Sequence, residues 1–245
     1  MRRKMTCLAT IFLLLFSIIR GDAYAQEKSA GEGVSIVFVV DHSGSMNEQD
    51  RQNTISNILA AFVDTMQSEE IQVGYVAYND KIIISHQPVP IQNKERREEL
   101  KGAIGDASNK GETDIGIGLG EAYGMLDNCQ GKRMIVLISD GETDLTHSDT
   151  GRVKEDSDKD VQEIVQQCGE KEIPITTIVF GEENGVNAQE LKDVSRQTGG
   201  KSYLLQKTDE LPRILCDVLY SGPSYSIYEA GSSIYDAGNQ KISYE

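Results

Sequence analysis

Basic residues are scarce in this chain: 24 Lys and Arg stand against 39 Asp and Glu, a formal net charge of −15. Binding phosphate backbones needs a basic face, so nucleic acid drops out as a partner class, and the acidity reads first as solubility. Histidine is also rare, with only His42, His86 and His147 spread along the chain, and there is no CxxC pair. The usual zinc sites are thereby removed. Long apolar runs are missing after the first two dozen residues, so the mature chain holds no membrane span. The GxSxG and P-loop motifs are absent. A GxGxxG reading of the glycines at 116, 118 and 120 fails at Glu121, and no strand directly precedes it.

What is present begins with a basic head (Arg2, Arg3, Lys4), an apolar run of about a dozen residues and the small-residue ending Ala23-Tyr24-Ala25. That reads as a secretory signal cleaved after Ala25, which predicts a secreted or cell-surface protein. The leader removes four basic residues and one acidic one, leaving a mature chain with 20 basic and 38 acidic residues, a net charge of −18. Residues 26–33 form a short linker and 34–220 one domain, since no repeat or Pro/Gly-rich segment divides them. The tail, 221–245, repeats Ile227-Tyr228-Glu229-Ala230-Gly231 as Ile234-Tyr235-Asp236-Ala237-Gly238. It would form a hairpin, add a strand or open a further module, and it offers a contact to an envelope partner. Three mature cysteines remain in a compartment that permits disulfides. Cys129 and Cys168 each close a helix that precedes a strand, which places both at one pole where a disulfide can form. Cys216 would then be a buried free thiol.

The pattern between these ends is an alternation of strands and helices. Val34 to Val40 is a nearly continuous β-branched and aromatic run, the signature of a strand buried on both faces of a parallel sheet. Ile55, Ile58, Leu59, Phe62, Val63 and Met66 trace the stripe of an amphipathic helix. Strands are predicted at Ile71 to Tyr78, Lys81 to His86 (the antiparallel hairpin partner), Met134 to Ser139, Pro174 to Phe180 and Lys201 to Leu205. Helices are predicted at 93–104, around Ile115 to Leu126, around Val161 to Cys168, at 187–197, and at the end through Leu211, Ile214, Leu215, Val218 and Leu219, with Thr208 as its cap. The glycines at 116, 118 and 120 would let their helix approach the sheet closely. A polar loop, Thr143 to Ser157, is long enough to be functional. The predicted fold class is α/β: a doubly wound, Rossmann-like, mostly parallel sheet of about six strands with one antiparallel edge strand and helices on both faces.

Chemistry collects at the strand ends. The first strand runs straight into Asp41-His42-Ser43-Gly44-Ser45, a carboxylate followed by two hydroxyls two residues apart. The second buried strand ends in Ser139-Asp140-Gly141-Glu142, and Thr113 lies in Gly111-Glu112-Thr113-Asp114 before a helix. Carboxyl ends of parallel strands are where open α/β sheets hold ligands. Oxygen donors of this kind suit Mg²⁺, or Mn²⁺ as second choice, far better than zinc or copper. Two charged and three neutral donors would leave the ion electrophilic with a position open. Each residue also has a plainer reading: Asp41 and Asp140 as turn residues, Ser43 and Ser45 as helix caps, Thr113 as an N-cap. His42 lies between two of the candidates but should point the other way, as neighbours on extended backbone do.

Asp41-x-Ser43-x-Ser45, Thr113 and Asp140, in this order and each at its strand or helix end, resemble the pattern of a von Willebrand factor type A domain with a metal-ion-dependent adhesion site. The likeness runs from about Ser35 to Tyr220. It implies that Asp41, Ser43, Ser45, Thr113 and Asp140 hold a metal and that a partner protein's Asp or Glu carboxylate completes the ion's shell. It also implies that ligand capture shifts the last helix. The expected function is an exported, non-enzymatic, metal-dependent protein-binding module of the adhesion type. A structural part of a cell-envelope assembly is the alternative, and a metal-dependent hydrolase the remoter one.

Overall fold

A strand buried on both faces needs helices on both sides, and the structure supplies them. The computed structural model describes residues 33–50, 53–66, 68, 70–141, 143–180 and 186–221, together with the short strands at 234–235 and 241–242. The leader with its cleavage point, the linker up to residue 32, Glu142 and most of the tail lie outside the described residues. In chain order the elements are β1 (Val34–Asp41), α1 (Met46–Gln49), α2 (Thr54–Thr65), β2 (Ile71–Tyr78), β3 (Ile82–Pro90), α3 (Lys94–Gly105), α4 (Ile115–Asp127) and β4 (Lys132–Ser139). They continue with α5 (Lys154–Glu170), β5 (Ile175–Phe180), α6 (Val186–Thr198), β6 (Ser202–Leu205), a 3-10 turn (Thr208–Glu210) and α7 (Leu211–Ser221). Two short strands, β7 (Ile234–Tyr235) and β8 (Lys241–Ile242), pair antiparallel in the tail. The second copy of the tail repeat thus supplies one strand of this pair.

Six strands form one sheet in the order β3-β2-β1-β4-β5-β6, parallel throughout except for β3 at the edge. Every residue of β1 is buried, and its side chains alternate between two apolar layers. Ile36, Phe38 and Val40 face Leu59 and Phe62 of α2, Leu100 and Ile104 of α3, and Leu211, Ile214 and Leu215 of α7. Val37 and Val39 face Leu119 and Ala122 of α4, Ile164 and Cys168 of α5, and Leu191 and Val194 of α6. Phe38 and Phe62 meet edge to face, ring centroids 6.4 Å apart. Among the described residues no helix is long and apolar enough to cross a membrane.

Several boundaries differ from the sequence reading, each for a local reason. Strand β3 runs on past His86 to Pro90. Its prolines are tolerated because an edge strand has one side without ladder bonds, and the pairing with β2 shifts register between Val73 and Tyr75. Helix α5 starts at Lys154, inside the expected loop, because the Asp156 carboxylate accepts the Val153 N–H at 3.1 Å and closes the first turn. Thr208 does not cap the final helix; it opens a 3-10 turn, and α7 follows with Pro212 in its first turn. The cysteines are corrected too. All three described thiols are free, and Cys216 is exposed while Cys168 is buried. Cys216 falls off the 211, 214, 215, 218 stripe that meets the core.

The glycines of α4 divide their work. A Cβ on Gly118 would lie 2.8 Å from the Tyr78 ring, so this glycine permits the close helix-to-sheet contact that its spacing implies. A Cβ on Gly116 would lie 2.7 Å from the Ser157 carbonyl, which makes its contact one between helices α4 and α5. Gly124 meets nothing within 4 Å. Gly118→Ala is therefore expected to destabilise the fold by about 1–3 kcal/mol through overpacking. Gly124→Ala should stabilise it by up to about 1 kcal/mol through helix propensity. Urea unfolding midpoints of the two variants check this; shifts of the same sign would refute the packing assignment.

Candidate metal centre

Because β1, β2 and β4 are parallel neighbours, their carboxyl ends deliver Asp41, Tyr78 and Ser139 to one edge of the sheet. Asp41 is 1% exposed. Its Oδ1 accepts the Ser43 N–H at 2.8 Å and its Oδ2 accepts the Ser139 hydroxyl at 2.7 Å. The first bond bends the chain back over the carboxylate, so that Ser43 and Ser45 face the same spot with their oxygens 3.0 Å apart. Ser43 is buried and Ser45 exposed, which makes the pair run from the interior to the surface. Asp140, half-buried, stands near enough to raise the Asp41 carboxyl, and the Ser45 hydroxyl lies near enough to lower that of Asp140. Four of the five sequence candidates are thus joined by direct contacts or by field.

Thr113 arrives by a separate route. The 105–112 loop crosses the pole and is stitched to the turn after β1: Gly44 N donates to Gly111 O at 2.9 Å, and Lys110 N to His42 O at 2.8 Å. Gly111 adopts a φ of +80°, and a side chain there would press on Asn79 and Asp80. Two residues later Thr113 is buried and forms an isolated antiparallel bridge with Asp144, bonded in both directions at 2.8 and 3.0 Å. Helix α4 starts immediately afterward, with the Asp114 carboxylate capping Ile117 N at 3.2 Å.

The electrostatics are those of concentrated negative charge. Burial first, and Asp140 second, push the Asp41 carboxyl up to about 6, against hydrogen bonds from Ser43 and Ser139 that pull it down. Asp140 is raised by burial and held back by the Ser45 hydroxyl. Among the described residues neither carboxylate forms an ion pair: Lys81 goes to Asp149 and Arg152 to Asp114 and Asp160. Two partly dehydrated carboxylates with neutral hydroxyls and no protein cation fit a hard divalent ion. No three His, Cys, Asp or Glu side chains are grouped so as to hold a metal ion among the described residues. The donor set here is of the other kind, carboxylate plus hydroxyl, which favours Mg²⁺ over zinc.

His42 turns away from this spot. It is buried, with Nδ1 2.7 Å from Asn109 Oδ1 and Nε2 3.0 Å from the Tyr75 hydroxyl, on the α2 side of the sheet. Both ring nitrogens are engaged, and burial lowers its pKa. The ring therefore pins the 105–112 loop, with both nitrogens occupied.

Sequence reasoning missed three supports. Ser139 passed as the last residue of an apolar run, although a hydroxyl at the end of a buried strand was a usable signal. Asp114, fully buried, receives Arg152 Nε at 2.6 Å, and the same guanidinium reaches Asp160 at 2.6 Å. Nothing local in the sequence links Arg152 to a residue 38 positions earlier. Asn79 accepts the Asp114 N–H through its carbonyl and donates its side-chain amide to Lys110 O at 2.7 Å, tying β2's end to both loops.

Residues 35–215 match the family described as the von Willebrand factor type A domain. The uncharacterized protein YfbK of Escherichia coli (strain K12) is 25% identical over 197 residues, 78% of this chain and 31% of that protein. Two solved structures share the fold. The pilus adhesin SpaC from Lactobacillus rhamnosus GG, in its open conformation, aligns with a TM-score of 0.60 at 15% identity, over 76% of this chain and 29% of that one. An aerotolerance-related membrane protein from Bacteroides fragilis NCTC 9343, bearing multiple mutations to serines, aligns with a TM-score of 0.57 at 16% identity, over 76% of this chain and 98% of that one. The chain spans under a third of the length of the E. coli relative and of the adhesin.

Removing Arg152 leaves Asp114 as a buried charge without its partner. Arg152→Ala is expected to cost about 2 kcal/mol, near the low end for such a loss because the guanidinium is 31% exposed and water screens it. Arg152→Lys should recover only part, since one ammonium cannot span both carboxylates. Chemical unfolding measures this; an Ala variant as stable as the parent would remove the clamp from the account.

Proposed function

The chain belongs to the von Willebrand factor type A domain family, and on that premise we propose that it is an exported, metal-dependent protein-binding module of the adhesion type. The carrying observation is the pairing of Asp41 and Asp140 at the sheet's carboxyl edge with serine hydroxyls around them and, among the described residues, no protein cation on either. In this reading Asp41, Ser43, Ser45, Thr113 and Asp140 hold Mg²⁺, with Mn²⁺ able to replace it. The bound ion supplies one electrophilic position for an Asp or Glu carboxylate of a partner protein.

The chain's own residues do the rest. Ser139 and the Ser43 N–H fix the Asp41 carboxylate so that its orientation is set before any ligand arrives. Ser45, exposed beside buried Ser43, marks the open side toward which a partner approaches. The 105–112 and 143–153 segments border the pole and would set specificity, together with residues 46–50. Arg152 and the Thr113–Asp144 bridge hold these segments still, which lowers the ordering cost of binding. An overall charge this negative repels acidic partners at long range, so salt should quicken capture of an acidic ligand by screening. His42 is committed on both nitrogens and so is not free to act as a hydrolytic base.

Thermal unfolding of the purified chain with and without Mg²⁺ tests the metal. Magnesium at a hundred times its dissociation constant should raise stability by about 2.7 kcal/mol, and EDTA should remove the gain. Asp41→Asn, which keeps the shape, should abolish the gain with little change in EDTA. A parent protein whose unfolding ignores Mg²⁺ and Mn²⁺ would sink the reading.

Partner capture is tested separately by pull-down from the native source. A partner is expected in Mg²⁺ and lost in EDTA. A partner kept in EDTA would instead make the chain a structural part of an assembly.

A further inference from the structure

Tyr78 is a tyrosine where a phenylalanine would fill the same space without a polar atom. The side chain is fully buried, and among the described residues its hydroxyl has no hydrogen-bond partner. A buried hydroxyl in that condition costs about 1–3 kcal/mol, which a partner within reach would offset. The ring cannot swing to find another partner: it lies against the backbone of α4, where a Cβ on Gly118 would be 2.8 Å from Cδ1 and 2.9 Å from Cγ.

The place of that hydroxyl is set by the sheet. Tyr78 on β2 is the register partner of Asp41 on β1, and Ser139 follows Ile138, the partner of Val40, on β4. The three residues therefore form one transverse row, and their side chains share the sheet face occupied by α4 and α5. Ser139 spends its one proton on Asp41 Oδ2 and accepts the Gly141 N–H at 3.0 Å, which leaves a second lone pair free. The phenol's surroundings agree: Asp41, Asp140 and Asp114 all act on it, as does the Ser139 hydroxyl, and burial keeps it protonated and hence a donor.

We propose that Tyr78 is a positioning residue of the metal centre: its hydroxyl, unpaired among the described residues, closes onto the free lone pair of Ser139 Oγ when a cation is bound, so that the chain Tyr78–Ser139–Asp41 locks the Asp41 carboxylate in the orientation the cation needs. This rests on the metal reading given above. Hydrogen bonds in such a chain polarise one another, and groups that orient a ligand without touching the metal commonly alter affinity by 10- to 100-fold. The lock would be set from beneath, by the same face that packs the helix following Thr113.

The test is Tyr78→Phe, which removes a single oxygen, read by Mg²⁺ titration calorimetry and by thermal unfolding in EDTA. Magnesium affinity is expected to fall about tenfold, while unfolding in EDTA stays unchanged or moves up. Affinity equal to the parent's, in a parent that binds Mg²⁺, overturns the proposal and leaves the metal reading standing; a parent that binds no Mg²⁺ overturns both. If Tyr78→Phe lowers affinity and stability together, a double-mutant cycle with Ser139→Ala decides. Losses in Mg²⁺ affinity that are markedly less than additive support the chain, and additive losses overturn it.

Discussion

The constraint on which the structure turns is the burial of Asp41. A carboxylate placed one residue past the apolar run of the central strand is withdrawn from water on every side, and a second carboxylate, Asp140, comes from the neighbouring strand. Two such charges are tolerable only if hydrogen bonds and a counter-charge offset the loss of hydration. The fold supplies the hydrogen bonds itself, from Ser43 N and Ser139 Oγ, and assigns none of its described basic side chains to the pair. The loops that cross the pole are fastened around this pair by the His42, Asn79 and Arg152 contacts.

The rigidity comes from a division of labour between the two faces of one sheet. Alternation along β1 sends Asp41 toward α4 and α5, and His42 toward the α2 side. The first face carries the charge, and Tyr78 and Ser139 flank it. The second face carries the fastening, in which His42 holds Tyr75 with one nitrogen and Asn109 with the other. A single strand end thus both presents the site and ties down the loop that crosses it. Arg152 does the corresponding work from the far side, neutralising Asp114 where Thr113 enters the pole.

The large features of this fold were readable because burial leaves a simple imprint. Strands covered on both faces are uninterrupted apolar runs, and helices covered on one face carry a stripe every three to four residues. The edge strand runs past its β-branched stretch through Pro88 to Pro90 because an edge tolerates prolines that an inner strand would not. The start of α5 was hidden because its first apolar contact, Val161, lies two turns past Lys154, and Asp156 closes the first turn by reaching back to Val153. Cys216 is exposed, not buried, because its offset from the 211, 214, 215, 218 stripe turns it outward.

The sequence by itself determined which chemistry can occur here: carboxylates and hydroxyls at strand and helix ends, an acidic surface, and a doubly wound α/β frame to carry them. These follow from residue type and short-range spacing, which survive in one dimension. Only the tertiary structure decided that Tyr78 and Ser139 flank Asp41, that His42 is occupied elsewhere, and that Arg152 answers Asp114. Those pairings join residues from 33 to 98 positions apart, and strand register and helix packing, acting across the whole domain, bring them together.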